Sequence, residues 1–468
     1  MKKGRPSTLM RIVPLFALFA CLALLQPDKA AADTSINISG DYDISFNWAD
    51  GQSFTNKKGG DNFETLQRLR IFTTVRVSER LQLFSLLRIL PNRWGHSAPD
   101  HIGAGYGLDA DSVSLRSRHL YLDWQPLDDL RIRMGMIPVA LPFAAFRNGI
   151  LDTTAGGIHA SYAITDWLNI EGFWARPYDD YDKYESSNKM DFLYAALPMN
   201  FTAQKLQFHP WFLYSIIGKN SSYWNDRIPA VTFGGPRTTV DDNGRGWWAG
   251  FSGKFSPDNW IFKTDFAYGS IKSEDGGFNY NASGWYAALA VDYKTEWGIP
   301  GVFGWYSSGA DADDAYDDNT WGHMPTISTF GDGFAPTSFG FKAGQSVNRD
   351  GVVSWVPSGK WGVGLQVTDI SFIHDLKHII RVAYYSGTND RELAGDKRAL
   401  SNTRRDFVLM TKGDHAIEVN FNHEYKIYQN LILGIDMGYI NMDRCKEWGS
   451  EKNIDDAWAV SVGFKYKF

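Results

Sequence analysis

The chain has 468 residues and a formal net charge of −6, an acidic balance that fits poorly with nucleic-acid binding. It is rich in Trp (18), Tyr (22), Phe (30) and Gly (45), yet its mean hydropathy is −0.31. Beyond the amino-terminal stretch no apolar run reaches the roughly 18 to 20 residues of a membrane helix, which excludes a helical membrane protein.

Lys2, Lys3, Arg5 and Arg11 precede an apolar run from Ile12 to Leu25, and Ala30-Ala31-Ala32 precede Asp33. A basic start, a short apolar centre and small residues ahead of a cleavage point describe a secretory signal peptide over residues 1–32, cut after Ala32. Cys21, after Leu18-Phe19-Ala20, offers a lipoprotein site as the alternative, but Phe19 is bulky for that role. Removal of the leader shifts the formal charge from −6 to −10 and leaves Cys445 as the one cysteine, so no internal disulfide can form.

Residues 36 to 48 then alternate. Ile36, Ile38, Tyr42, Ile44, Phe46 and Trp48 fall on one face, with Asn37, Ser39, Asp41, Asp43, Ser45 and Asn47 on the other. Period two means a strand with an apolar and a hydrophilic side. Similar segments follow at 63–77, 81–90, 113–124, 130–137, 157–164, 167–175, 191–200, 205–217, 246–255, 260–270, 284–294, 301–307, 360–371, 379–386, 415–427 and 431–442. The chain ends on one more, in which Trp458, Val460, Val462, Phe464, Tyr466 and Phe468 share a face. The expectation is an all-β fold over 33–468: a transmembrane antiparallel β-barrel of about 18 strands, or 16 if 191–200 and 301–307 are loop. Short periplasmic turns, such as Ser78-Glu79-Arg80 and Gln429-Asn430, alternate with long polar extracellular loops. Closure follows from solvation, because an unpaired backbone amide in hydrocarbon is costly and a closed sheet leaves no edge. A soluble β-sandwich also alternates, but it does not explain why Trp48, Trp124, Trp167, Trp174, Trp260, Trp285 and Trp458 sit at or near strand ends, where amphipathic rings anchor at the headgroups.

With the apolar face turned to lipid, Arg68, Arg70, Arg76, Arg88, Arg116, Arg118, Arg131 and Arg133 point inward on four neighbouring strands as a basic wall. Strands farther along turn in Glu171, Asp265, Asp292, Glu418, Glu424 and Asp436. Such a separation would set a transverse field acting on charged solutes; the competing reading is that the arginines pair with acids to stiffen the wall. The third long connection, Pro138 to Gly156, contains Val-Ala-Leu-Pro-Phe-Ala-Ala-Phe, too apolar for a loop in water. It is expected to fold into the barrel, with Arg147 and Asp152 lining a constriction, or else to form a subunit contact. The loop 308–358 holds Asp311, Asp313, Asp314, Asp317, Asp318 and Asn319. That density could hold Ca²⁺, but the central Gly and terminal Glu of a calcium loop are missing and a solvated acidic loop is favoured.

No G-x-S-x-G, H-E-x-x-H or Gly-rich phosphate loop occurs, and His159, His209, His374, His378, His415 and His423 are scattered, so an enzyme is not expected; an outer-membrane hydrolase stays as a remote alternative. The carboxy end, Phe464, Tyr466 and Phe468, resembles the assembly signal of outer-membrane proteins. Two inner stretches narrow the likeness: Gly60-Asp61-Asn62-Phe63-Glu64 with Gln67-Arg68-Leu69-Arg70, and Tyr121-Leu122-Asp123-Trp124 with Leu130 to Met136 and Leu141-Pro142. These resemble the outer membrane homotrimeric porin family of sulfate-reducing bacteria. The resemblance implies a trimeric channel for small hydrophilic solutes and ions, seated in outer-membrane lipid by the barrel assembly machinery. A selective sugar or nutrient channel, with Trp247, Trp248, Trp305 and Trp321 as an aromatic track, is the alternative.

Overall fold

A computed structural model describes residues 34–50, 62–94, 115–146, 149–179, 189–219, 221, 243–274, 281–317, 320–327, 358–395, 410–452 and 456–468. The expected leader, 1–32, lies outside the described residues, as do Arg147 and most of the loops 218–244 and 308–358. No described helix is long and apolar enough to cross a membrane.

Twenty strands form one sheet. In chain order they are β1 (Ser35–Asp50), β2 (Asn62–Ser78), β3 (Leu81–Arg93), β4 (Leu115–Leu127), β5 (Leu130–Ala140), β6 (Asp152–Ala163), β7 (Asn169–Asp179), β8 (Lys189–Ala196), β9 (Met199–Phe201) and β10 (Leu206–Ile217). The second half holds β11 (Gly244–Phe255), β12 (Trp260–Ser273), β13 (Asn281–Tyr293), β14 (Ile299–Ser307), β15 (Thr320–Trp321), β16 (Lys360–Ile373), β17 (Leu376–Gly387), β18 (His415–Tyr428), β19 (Leu431–Asp443) and β20 (Ala457–Lys467). β9 continues β8 past Leu197-Pro198, and both pair with β10. β15 lies parallel to β13 as a short inner rung. The remaining neighbours are antiparallel, and β20 pairs back onto β1, closing an 18-strand barrel.

The seam shows why the alternation demands closure. Ile44 stands opposite Gln67 on one side and Phe464 on the other, while Asp43 stands opposite Arg68 and Lys465. Cross-strand partners share a face, so Ile44 and Phe464 extend an outer band, with Gln67 a polar member of it, while Asp43, Arg68 and Lys465 form an inner lining. Accordingly Asp41, Asp43, Ser45 and Asn47 are buried, whereas Ile36, Ile38 and Trp48 are exposed. The last pairing joins the chain ends, Gly40 and Phe468 exchanging backbone hydrogen bonds of 2.9 and 3.0 Å.

One end of the barrel carries tight turns. Lys205, Asp258 and Asp375 take positive φ there (53°, 46° and 64°), a conformation that Asp tolerates through its short polar side chain. The segments 191–200 and 301–307, the two weakest by pattern, are wall strands. The expected loop 138–156 is shorter than its sequence suggests: Met136 to Ala140 and Asp152 to Gly156 pair with each other, leaving 141–151 as the connection and placing Asp152 in the wall opposite Ala140. The alternation fails there because Ile137, Val139 and Ala155 face inward onto an interior filled by the loop itself, so both faces are apolar.

Candidate pore and constriction

Register puts seven of the eight arginines on the inner face; Arg118 falls at a bulge and has no partner in the ladder. Arg70, Arg88 and Arg116 stand directly opposite one another across β2, β3 and β4, and Arg133 stands opposite Asp123 and His159. That bulge, between the Leu86–His119 and Leu87–Ser117 pairs, shifts the phase of β4 by one residue. Three like charges in a row oppose stability, so acids interleaved among them matter. Arg70 grips Asp41 through two bonds of 2.6 and 2.7 Å, Arg68 reaches Asp43 at 2.6 Å, and Arg131 holds Asp123 at 2.7 and 2.5 Å. Arg131 nevertheless keeps about half its side-chain surface open (47 %), and Arg76 and Arg116 are exposed. The wall is thus part neutralised and part open. Asp41, Asp43 and Asp123 are the partners that face parity alone did not assign, since naming them requires the cross-strand register.

The inward acids behave differently from one another. Glu171 sits between His209 at 3.1 Å and His159 at 3.7 Å. Asp292 takes Lys263 at 3.0 Å and the Gln366 amide at 2.8 Å, and Gln366 in turn accepts from Arg381 at 3.2 Å. Glu418 accepts from Tyr385 and Asn420, both at 2.7 Å, and Asp436 from Asn422 at 2.5 Å. Asp265, Asp292, Glu418 and Asp436 are all buried, so they do not present an open acidic wall; Glu424, near the turn end, is exposed. Arg381 was legible by parity, since Ile380, Val382 and Tyr384 face out, but it stands alone on its strand and draws no attention in the sequence.

Asp265 has a different task. Its carboxylate accepts the backbone N–H groups of Ala144 (2.6 Å), Ala145 (2.8 Å) and Phe146 (3.4 Å), all in the connection 141–151. That connection therefore folds into the barrel, reaching from β5–β6 to β12. Phe143 packs on Tyr286 at 5.8 Å, and Phe146 meets Phe303 and Trp305 edge-on at 5.7 and 5.9 Å. Asp152, by contrast, lies at the start of β6.

A second segment, 320–327, folds in on top of the first. Ile327 N–H donates to the Ile150 carbonyl at 2.8 Å and the Trp248 indole to the Pro325 carbonyl at 2.9 Å. Trp248 and Trp305 are buried beneath these segments and Trp321 is buried within the second, while Trp247 is exposed, so the four do not form an open aromatic track. His323 is buried in the same segment with no hydrogen-bond partner for either ring nitrogen among the described residues; burial lowers its pKa from 6.5 to about 4. Near the turn end a cavity of about 510 Å³ opens between Phe143 and the wall at His209, Ser252, Lys254 and Lys263. Asp311, Asp313 and Asp314 sit on or beside a short helix, Ala312–Asp317, and among the described residues no group of three or more His, Cys, Asp or Glu could hold a metal ion.

An 18-strand antiparallel barrel, apolar outside and charged inside with a loop folded into it, defines the class as the porin-type β-barrel. No family model and no curated protein matches the sequence. Solved structures do match in shape. A BenF-like porin from Pseudomonas fluorescens Pf-5 superposes with a TM-score of 0.53 at 12 % identity, covering 94 % of this chain and 100 % of that one. Pseudomonas aeruginosa OpdK with vanillate gives 0.52 at 10 %, covering 92 % and 98 %, and Acinetobacter baumannii OccAB4 gives 0.51 at 13 %, covering 92 % and 98 %. At these identities the likeness is one of fold.

Proposed function

We propose that the chain is an outer-membrane porin: after loss of residues 1–32 it seats in outer-membrane lipid and passes small hydrophilic solutes and ions by diffusion. The observation that carries this reading is the two-sidedness of the wall. Arg76, Arg116 and Arg131 stay accessible on the inner face, and the connection 141–151 narrows the interior. A wall lined this way, beside a loop-filled aromatic half, favours small solutes over bulky ones and gives anions a favourable local potential. The shape shared with the Pseudomonas and Acinetobacter barrels supports the same reading. Sealed indoles argue against the sugar-track alternative.

The test is reconstitution of the purified mature chain in planar bilayers, with conductance, anion-to-cation permeability and solute cut-off measured together. Discrete ohmic steps with anions preferred are expected. Absence of conductance from correctly inserted, heat-modifiable protein defeats the reading, and saturable flux of one sugar would move it to a selective channel.

A further inference from the structure

His378 and His423 are 45 positions apart in the chain and stand directly opposite each other across β17 and β18. Both belong to the outward series of their strands, in which Ile380, Val382 and Tyr384 on β17 and Ile417, Val419, Phe421 and Tyr425 on β18 are exposed. Tyr425, paired with Leu376 beside the turn at 374–375, marks the aromatic girdle at the turn end. The two imidazoles come one rung later, roughly 5 Å along a tilted strand toward the apolar band. Polar rings on that face are costly, because hydrocarbon supplies neither donor nor acceptor, and intramembrane ionisable residues mark function.

The rings are turned onto each other. Their Nδ1 atoms stand 2.6 Å apart, and the rings meet edge-on at 87° with centres 4.8 Å apart. Phe421 fixes that attitude: its ring meets His423 edge-on at 4.1 Å and lies nearly parallel to His378 at 6.3 Å. Among the described residues neither imidazole has another hydrogen-bond partner, and the adjacent charges, Lys377 and Glu424, oppose each other on the inner side of the wall. In the uncharged pair one Nδ1 carries a proton that the other accepts. Shifting that proton to the donor ring's Nε2 leaves two lone pairs converging on one point, with no net release of protons. Two nitrogens each about 2.0 to 2.1 Å from one ion stand roughly 2.8 to 3.4 Å apart, so parting the pair by under about 1 Å seats the ion.

We propose that His378 and His423 chelate a divalent first-row transition metal on the outer wall, tying β17 to β18. Imidazole nitrogen suits copper, nickel and zinc, whereas magnesium and calcium prefer oxygen. The protein supplies two ligands, and the remaining coordination positions fall to water at the membrane interface. The site concerns the outer wall and does not depend on conduction through the interior.

The experiment titrates Cu(II) into the tag-free mature chain in detergent, in a Cys445→Ser background that keeps copper from oxidising the thiol. One equivalent is expected to bind, with an electron paramagnetic resonance spectrum showing two equatorial nitrogens. His378→Phe and His423→Phe, both suited to a lipid-facing position, are expected to weaken binding at least tenfold while the barrel stays heat-modifiable. His423→Gln keeps a hydrogen-bonding partner for His378 and should weaken binding as much, which separates a chelate from a purely structural hydrogen bond. Binding unchanged by these substitutions, a spectrum without two nitrogens, or equal competition by Mg(II) overturns the site. Bound Cu(II) should also raise the temperature at which the fast-migrating folded form is lost, and no rise would overturn the tie between the strands.

Discussion

Asp265 is buried to 2 % exposure, and three backbone N–H groups of an incoming loop converge on it. Hydrogen bonds to a charged acceptor each contribute about 1.5 to 3 kcal/mol, so removing the carboxylate should release most of what holds that loop apart from its two phenylalanines. Asp265→Ala is therefore expected to raise single-channel conductance severalfold and broaden its distribution, with the barrel still heat-modifiable; an unchanged conductance would show that the aromatic contacts suffice. His323 sets a pH dependence on the second inward segment. Its pKa is lowered from 6.5 to about 4 by burial, so the inward state takes up its proton only near pH 4 while the released state takes it up near 6.5. The inward state is fully favoured above pH 6.5 and loses about 3 kcal/mol as pH falls toward 4. Conductance of the unsubstituted chain should rise on acidification across that window, and His323→Phe should abolish the rise. Cys445 is the opposite case: burial pushes its thiol up to about 11, which leaves little thiolate at neutral pH and suits an inert cysteine.

At the scale of elements, the connection 141–151 behaves as an inserted arm. Its backbone is pinned by Asp265, its rings fill the space over Tyr286, Phe303 and Trp305, and Ile150 receives the second segment through Ile327. The apolar content of Val139 to Phe146 was legible as a buried loop because such a stretch cannot remain in water. The point of attachment on β12 was not legible, since it depends on a contact between residues more than a hundred positions apart. Phe143 and Phe146 are half-buried, so truncating both to alanine should cost the arm less than the roughly 3 to 5 kcal/mol apiece of fully buried Phe→Ala changes, and open the pore to larger solutes. Liposome swelling with a sugar series would measure the cut-off, and an unmoved cut-off would mean that the arm does not set it.

For the whole molecule, stability resides in closure. The Phe468 ring lies over Gly40, where an added Cβ would approach both that ring and the Arg70 carbonyl to 2.5 Å. Gly40→Val should therefore strain the seam by about 2 kcal/mol, a usual cost of overpacking, and lower the temperature at which the barrel loses its fast-migrating folded form. Deleting Phe468 should lower it as well, by removing the two backbone bonds to Gly40.

Sequence by itself determined the two-faced strands and a barrel of about 18 of them, with 16 left open. That information is local, because steric alternation along an extended backbone turns successive side chains to opposite sides. Only the tertiary structure decided which acid neutralises which arginine, that Asp265 and Asp292 are sealed by partners, that three of the four indoles are covered, and that the connection begins at 141. Each of these depends on register between strands and on where a loop comes to rest, which are set by contacts between distant segments and leave no period in the chain.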